Sequence, residues 1–223
     1  MPKKVKKRVK LKLIPVLFFI GVSIGLYFLF SFLIETKIKN IVIYNNVLLT
    51  DQEIIELAGI ENYPSFYKTL NKTIKKNIKQ SSFIKDVKVK KKLFNVLELN
   101  IEEYKPLFIK NDKVVLENNN KVDLVNYKIP TLTNLEENKI YEDLIKAMLK
   151  IDESSKCKIS QIIYSPSEYD DTRFLLYMDD GNHVYINLNK FSNINYYSEI
   201  YPTLNNKKGT LYLDSGNHFE IFK

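Results

Sequence analysis

The 223-residue chain holds one cysteine, two histidines and six glycines, and these shortages narrow its chemistry before any motif is read. A single thiol, Cys157, excludes an intrachain disulfide and a cysteine-based metal site, and the residue reads as a small, partly buried side chain. There is no HExxH pair and no glycine-rich phosphate loop. Both histidines, His183 and His218, follow turns and have Asp179, Asp180 and Asp214 near them in sequence. No metal-ligand spacing accompanies them, so they read as ordinary strand residues. Glu98, Glu102 and Glu103 likewise read as a surface strand, not as an acid and base pair. No catalytic residue, cofactor, metal or small-molecule substrate is expected, and the chain is read as a non-enzyme.

Charge is equally uneven. The formal net charge is +8, but Lys3, Lys4, Lys6, Lys7, Arg8, Lys10 and Lys12 supply seven positive charges in the first twelve residues. The remaining 211 residues carry 27 basic and 26 acidic side chains. That balance leaves no basic face to track phosphates, so no nucleic-acid partner is expected.

Directly behind the basic tail, residues 13–34 run LIPVLFFIGVSIGLYFLFSFLI without one charged side chain. As a helix this segment is roughly 33 Å long, against about 30 Å for a hydrocarbon core. The basic residues on its amino-terminal side predict a cytoplasmic amino terminus, a single pass and an extracytoplasmic bulk. A cleaved signal is the rival reading. Signal cores are shorter and end at small residues, whereas here Phe32, Leu33 and Ile34 stand at that point, so a retained anchor is expected.

The outer part begins with a strand over residues 36–44 and a turn at Asn45 and Asn46. Thr50 and Glu53 form a capping box for a short helix, and Gly59 stands where a left-handed residue ends it. Phe66, Leu70, Ile74 and Ile78 recur at four-residue intervals, predicting an amphipathic helix over residues 65–79. Its lysines form a solvated face, with lipid headgroups as the other reading. Two half-buried strands follow at residues 84–90 and 96–102, and antiparallel pairing would set Lys88 and Lys90 against Glu98 and Glu102. This strand, helix, helix, strand, strand order ends at Pro106.

Residues 107–110 and 114–117 flank Asn111 and Asp112 as a hairpin. A helix near residues 138–153 presents Tyr141, Leu144, Ile145 and Met148 on one stripe. Strands are expected at residues 158–164, 173–178 and 183–188, then a helix from about residue 190, on Phe191, Ile194, Tyr197 and Tyr201, ended by Pro202. Residues 176–186 and 211–221 agree at seven of eleven positions, each a strand, a tight turn and a strand. The match does not extend outward, so it reads as shared hairpin chemistry and not as a duplicated domain.

The fold class is thus α+β: one membrane helix, a β-α-α-β-β unit and a sheet-rich domain with two helices. Residues 41–46 (IVIYNN), 49–54 (LTDQEI) and 58–60 (AGI) resemble the POTRA domain of the FtsQ/DivIB family of bacterial cell-division proteins. So do residues 82–89 (SFIKDVKV) and 99–106 (LNIEEYKP), with the closing Glu-x-x-Pro at Glu103 and Pro106. The usual basic residue is replaced by Tyr104, and a proline is missing near Asn95. Residues 209–219 look like the last strands of the family's β-domain.

The resemblance implies a basic tail at 1–12, a membrane helix at 13–34, a POTRA domain at 36–106 and a β-domain at 107–223. It further implies a division scaffold at the septum that binds FtsB/DivIC-like and FtsL-like coiled-coil partners, besides the lipid bilayer. Leu213, Ser215, Phe219 and Ile221 are the implied contact residues, by strand addition at a sheet edge. A membrane-anchored envelope enzyme and a POTRA-bearing transport or sporulation accessory protein are the alternatives.

Overall fold

The computed structural model describes residues 13–123, 127–204 and 207–223. Lys3, Lys4, Lys6, Lys7, Arg8, Lys10 and Lys12, expected to set the topology, lie outside the described residues. The apolar run forms α1, Leu13–Glu35, which is long and apolar enough to cross a membrane and buries none of its residues inside the chain. The chain divides into two compact units. The first takes residues up to Asn45 with Asp51–Ile78 and Val87–Ile101, and the second takes Asn46–Thr50, Lys79–Asp86 and Glu102–Lys223.

A three-stranded sheet is built from β1 (Asn40–Tyr44), β2 (Ile84–Lys92) and β3 (Val96–Glu103), in the order β1-β3-β2. Two short helices, α2 (Asp51–Ala58) and α3 (Asn71–Ile78), intervene in sequence between β1 and β2. That crossover lets β1 lie parallel to β3, from Asn40 opposite Val96 to Tyr44 opposite Asn100. Ile54, Ile74, Ile78, Leu97 and Leu99 are fully buried, and Gly59 takes φ +69° just beyond α2.

Two local readings are corrected. The helix expected from residue 65 starts only at Asn71, because the segment before it is used to hold the chain leaving α1. Ser65 pairs with Lys37, the Ser65 hydroxyl donates to the Ile34 carbonyl, and Phe66 N donates to Thr36 O at 2.8 Å. Across the β2–β3 hairpin the carboxylates are met by Lys85 on Glu102 (3.3 Å) and Lys92 on Glu98 (3.2 Å), not by Lys88 and Lys90.

The second unit is organised by a nine-stranded sheet in the order β12-β11-β10-β9-β8-β7-β4-β5-β6. In chain order these strands are β4 (Pro106–Lys110), β5 (Lys113–Leu116), β6 (Lys121–Val122), β7 (Thr131–Thr133) and β8 (Ile159–Tyr164). There follow β9 (Arg173–Met178), β10 (His183–Asn187), β11 (Gly209–Tyr212) and β12 (His218–Ile221). Asn111 and Asp112 take φ +50° and +58° and so turn β4 into β5. Two helices, α4 (Lys139–Met148) and α5 (Glu153–Lys156), precede β8. Asn138 caps α4 by accepting from Tyr141 N at 3.1 Å, and Tyr141, Leu144, Ile145 and Met148 are all buried as their stripe predicts. They share one core with Phe174, Leu176, Val184, Ile186, Phe191 and Ile194.

The helix expected from residue 190 is broken into a 3-10 turn over Leu188–Tyr196, the single turn α6 (Tyr197–Ile200) and a second 3-10 turn over Tyr201–Leu204 that contains Pro202. Asn187 starts the first turn by accepting from Lys190 N at 3.1 Å.

Polar groups secure the ends of this unit. The Glu103 carboxylate accepts from three successive backbone amides, Val47 (2.9 Å), Leu48 (2.7 Å) and Leu49 (3.1 Å). Lys156 is buried, and its ammonium donates to Pro106 O at 2.9 Å and Glu153 Oε1 at 2.7 Å. Burial therefore costs it no hydrogen bond.

Candidate partner-binding edge

One end of the nine-stranded sheet is β12, which among the described residues pairs with β11 alone. Its register runs from Gly209 opposite Ile221 to Tyr212 opposite His218, and Phe222 N donates to Lys208 O at 2.9 Å one step further on. Antiparallel strands alternate hydrogen-bonded and non-bonded pairs. Since the Lys208 and Phe222 pair is bonded, so are the pairs at Glu220 and His218. The N–H and C=O groups of Phe219 and Ile221 consequently point away from β11, to the open edge. Each is a free donor and acceptor for another extended chain.

The four residues implied by the resemblance are arranged unequally. Ile221 is 53 % exposed and Phe219 is partly buried against the core, both on the core side of the strand. Ser215 is exposed in the turn, its hydroxyl donating to Asp214 Oδ1 at 3.0 Å. Leu213 is only 3 % exposed and belongs to the core beneath the turn.

On the opposite face an aromatic ladder crosses β9 to β12. Tyr177 meets His183 edge-on at 4.3 Å between centroids, and His183 meets Phe222 at 4.8 Å. Tyr185 stacks on Tyr212 at 5.4 Å, and Tyr212 stacks on His218 at 4.5 Å. Arg173 lies 3.7 Å over the Tyr185 ring and donates from Nε to Asp214 Oδ2 at 2.7 Å. Asp214 O in turn accepts from Lys190 Nζ at 2.9 Å. These contacts brace the last hairpin from one side and leave its edge open.

The repeated hairpin motif gains a physical meaning here. Tyr177 stands opposite His183 and Tyr212 opposite His218 at the same step of the two ladders. The two hairpins lie side by side through parallel pairing of β10 with β11. Gly181 (φ +87°) and Gly216 (φ +88°) supply the turns. Burial holds the His183 imidazole below its ordinary pKa. Among the described residues no group of three or more His, Cys, Asp or Glu side chains is placed to hold a metal ion.

Sequence reasoning missed the residue that joins these parts. Asn182 is 0 % exposed, donates from Nδ2 to the Tyr197 hydroxyl at 2.9 Å, and accepts at Oδ1 from Gly209 N at 2.9 Å. The Tyr197 hydroxyl donates to Asp180 Oδ2 at 2.7 Å. The signal was present as the Asp-Gly-Asn turn, but nothing in the turn itself shows that its asparagine would be buried.

The family of FtsQ-type POTRA domains matches residues 36–104. The chain is 31 % identical over 216 residues to the cell division protein DivIB of Bacillus subtilis (strain 168), covering 92 % of this chain and 81 % of that one. It is 26 % identical over 217 residues to DivIB of Listeria monocytogenes, covering 92 % and 79 %. A solved extracytoplasmic domain of DivIB from Geobacillus stearothermophilus aligns with a TM-score of 0.39 at 18 % identity, over 47 % of this chain and 96 % of that one. The sequence relationship to DivIB spans nearly the whole chain and most of the relative, and the chain belongs to the DivIB family of cell-division proteins.

Proposed function

We propose that the protein is a non-enzymatic scaffold of the division machinery. Residues 13–34 hold it in the membrane by a single pass, the basic tail keeps the amino terminus cytoplasmic, and the POTRA domain (36–106) and β-domain (107–223) work outside at the septum. The free edge of β12 receives a strand from a coiled-coil partner of the FtsB/DivIC type, which acts together with an FtsL-type protein. Phe219 and Ile221 contribute outward backbone groups and flanking side chains, Ser215 contributes its exposed turn, and Leu213 holds the hairpin from the core.

The observation that carries this reading is the outward direction of the Phe219 and Ile221 backbone groups on a strand with one neighbour. Both partners share one membrane, so modest contacts gain from a high effective concentration. The test is co-purification of the full chain with a DivIC-type and an FtsL-type protein, beside a chain ending at Lys208. Capture by the full chain and loss on truncation are expected. Equal capture by both chains would remove the edge from the mechanism, and an even spread of a fluorescent fusion around dividing cells would remove the septal role.

A further inference from the structure

The turn between β2 and β3 exposes two large apolar side chains, Leu93 (82 %) and Phe94 (85 %). Phe94 takes φ +62° and Asn95 φ +59°. Left-handed backbone is unfavourable for an aromatic residue, and Phe94 gains no burial within the chain in return.

The position of this tip is fixed by its hydrogen bonds. Asn95 O accepts from Lys39 N at 3.0 Å, and Lys39 is four residues beyond Glu35, the last residue of α1. An extended chain covers at most about 14 Å in four residues, so the tip is confined close to the end of α1. The junction is short and tied down: Ile38 N donates to Pro64 O at 3.0 Å, and the Lys91 ammonium donates to Phe66 O. If α1 spans a bilayer, its end lies in a headgroup layer several ångströms thick, and Phe94 is held beside that layer.

Exposed tyrosine and lysine lie in the segments tied to this junction. Tyr67 follows Phe66, whose amide bonds Thr36, and half of its surface is exposed. Lys37, Lys39, Lys68 and Lys90 lie in the segments that meet there, and Glu98 is taken up by Lys92. An exposed apolar tip with exposed lysines in the adjoining segments matches the interface of an anionic membrane.

We propose that the β2–β3 turn is a membrane-docking tip, in which Leu93 and Phe94 enter the outer-leaflet headgroup layer and the adjacent lysines meet anionic lipid headgroups. The proposal rests on α1 being a membrane span. Docking would fix the angle of the POTRA unit on the lipid surface, so that α1 is not its only attachment.

The chain contains no tryptophan, so single tryptophans report position. The full chain is reconstituted in nanodiscs of phosphatidylglycerol and phosphatidylcholine that carry a lipid with a shallow nitroxide. Phe94→Trp and Leu93→Trp test the tip, Phe28→Trp tests α1, and Tyr169→Trp, at a residue 96 % exposed, reports water. The tip tryptophans are expected to be quenched about threefold more than Tyr169→Trp, with blue-shifted emission, and to lose about half of that excess when phosphatidylcholine replaces phosphatidylglycerol. Tip tryptophans that match Tyr169→Trp while Phe28→Trp is quenched overturn the docking tip alone, and leave the turn as a contact for another polypeptide. Phe28→Trp without quenching overturns the membrane span and the docking tip together. Excess quenching unchanged in pure phosphatidylcholine overturns the role given to the lysines.

Discussion

Asn182 and Tyr197 meet through a buried hydrogen bond of 2.9 Å that joins the β9–β10 turn to α6. The same asparagine holds the amide of Gly209, at the start of β11. One side chain therefore links the β9–β10 turn, α6 and the start of β11, the strand on which β12 is laid. Removing a buried partner leaves the other group desolvated and unpaired, at a cost of about 1–3 kcal/mol. Tyr197→Phe should lower unfolding free energy by about 1–3 kcal/mol, and Asn182→Ala by more, since it strands the buried Gly209 amide and also removes the donor to the Tyr197 hydroxyl, which keeps only its bond to Asp180. Denaturant titration of the two variants checks the order.

Stability should also fall in alkali. Burial pushes the Tyr127 and Tyr141 hydroxyls up to about 12, and pushes Tyr197 higher. In the unfolded chain a tyrosine ionises near pH 10. A group with a raised folded-state pKa contributes stability that is complete below the unfolded value and lost as pH rises above it. Unfolding midpoints measured from pH 8 to 12 should therefore hold steady to about pH 10 and then decline, and Tyr197→Phe should flatten the decline. A midpoint that rises above pH 10 would contradict the burial of these hydroxyls.

Glu103 supplies a third test. Its two oxygens collect the amides of Val47, Leu48 and Leu49, a charge-assisted cradle for a loop more than fifty residues earlier. Glu103→Ala should cost about 2–3 kcal/mol, and Glu103→Gln about 1 kcal/mol, because the amide retains one acceptor. Hydrogen exchange at residues 47–49 should accelerate in the alanine variant ahead of the rest of the chain.

Much of this architecture was legible locally. The stripe of Tyr141, Leu144, Ile145 and Met148, the left-handed Asn111 and Asp112, and the two Gly-centred hairpins all follow from rules that act within ten residues. What was not legible depends on distant chain. Ser65 and Phe66 fit a helical period, yet they are diverted to pin Ile34 at the end of α1 and Thr36 just beyond it, and α3 begins six residues late. The parallel pairings of β1 with β3 and β10 with β11 leave no mark in either partner alone, since alternation fixes a strand's faces and not its neighbours. The same limit applied to the edge. The resemblance alone names Phe219 and Ile221, while the outward direction of their backbone groups depends on the register of β12 on β11.

Gly209 joins stability to the edge itself. A Cβ there would collide with the Glu220 carbonyl oxygen and stand 2.7 Å from Cζ of Phe219. The ring can swing aside, but the oxygen belongs to the backbone of β12 and can yield only if the strand moves. Gly209→Ala should therefore displace β12 while leaving the core around Phe174, Val184 and Phe191 assembled. The expected signs are fast amide exchange confined to residues 218–222, a loss of about 1–3 kcal/mol as in other overpacked sites, and weakened capture of a DivIC-type partner. Thr210→Ala, one residue along on a half-buried side chain, should do none of these. If Gly209→Ala captured the partner as well as the parent chain does, the ordered edge of β12 would not be the surface that binds.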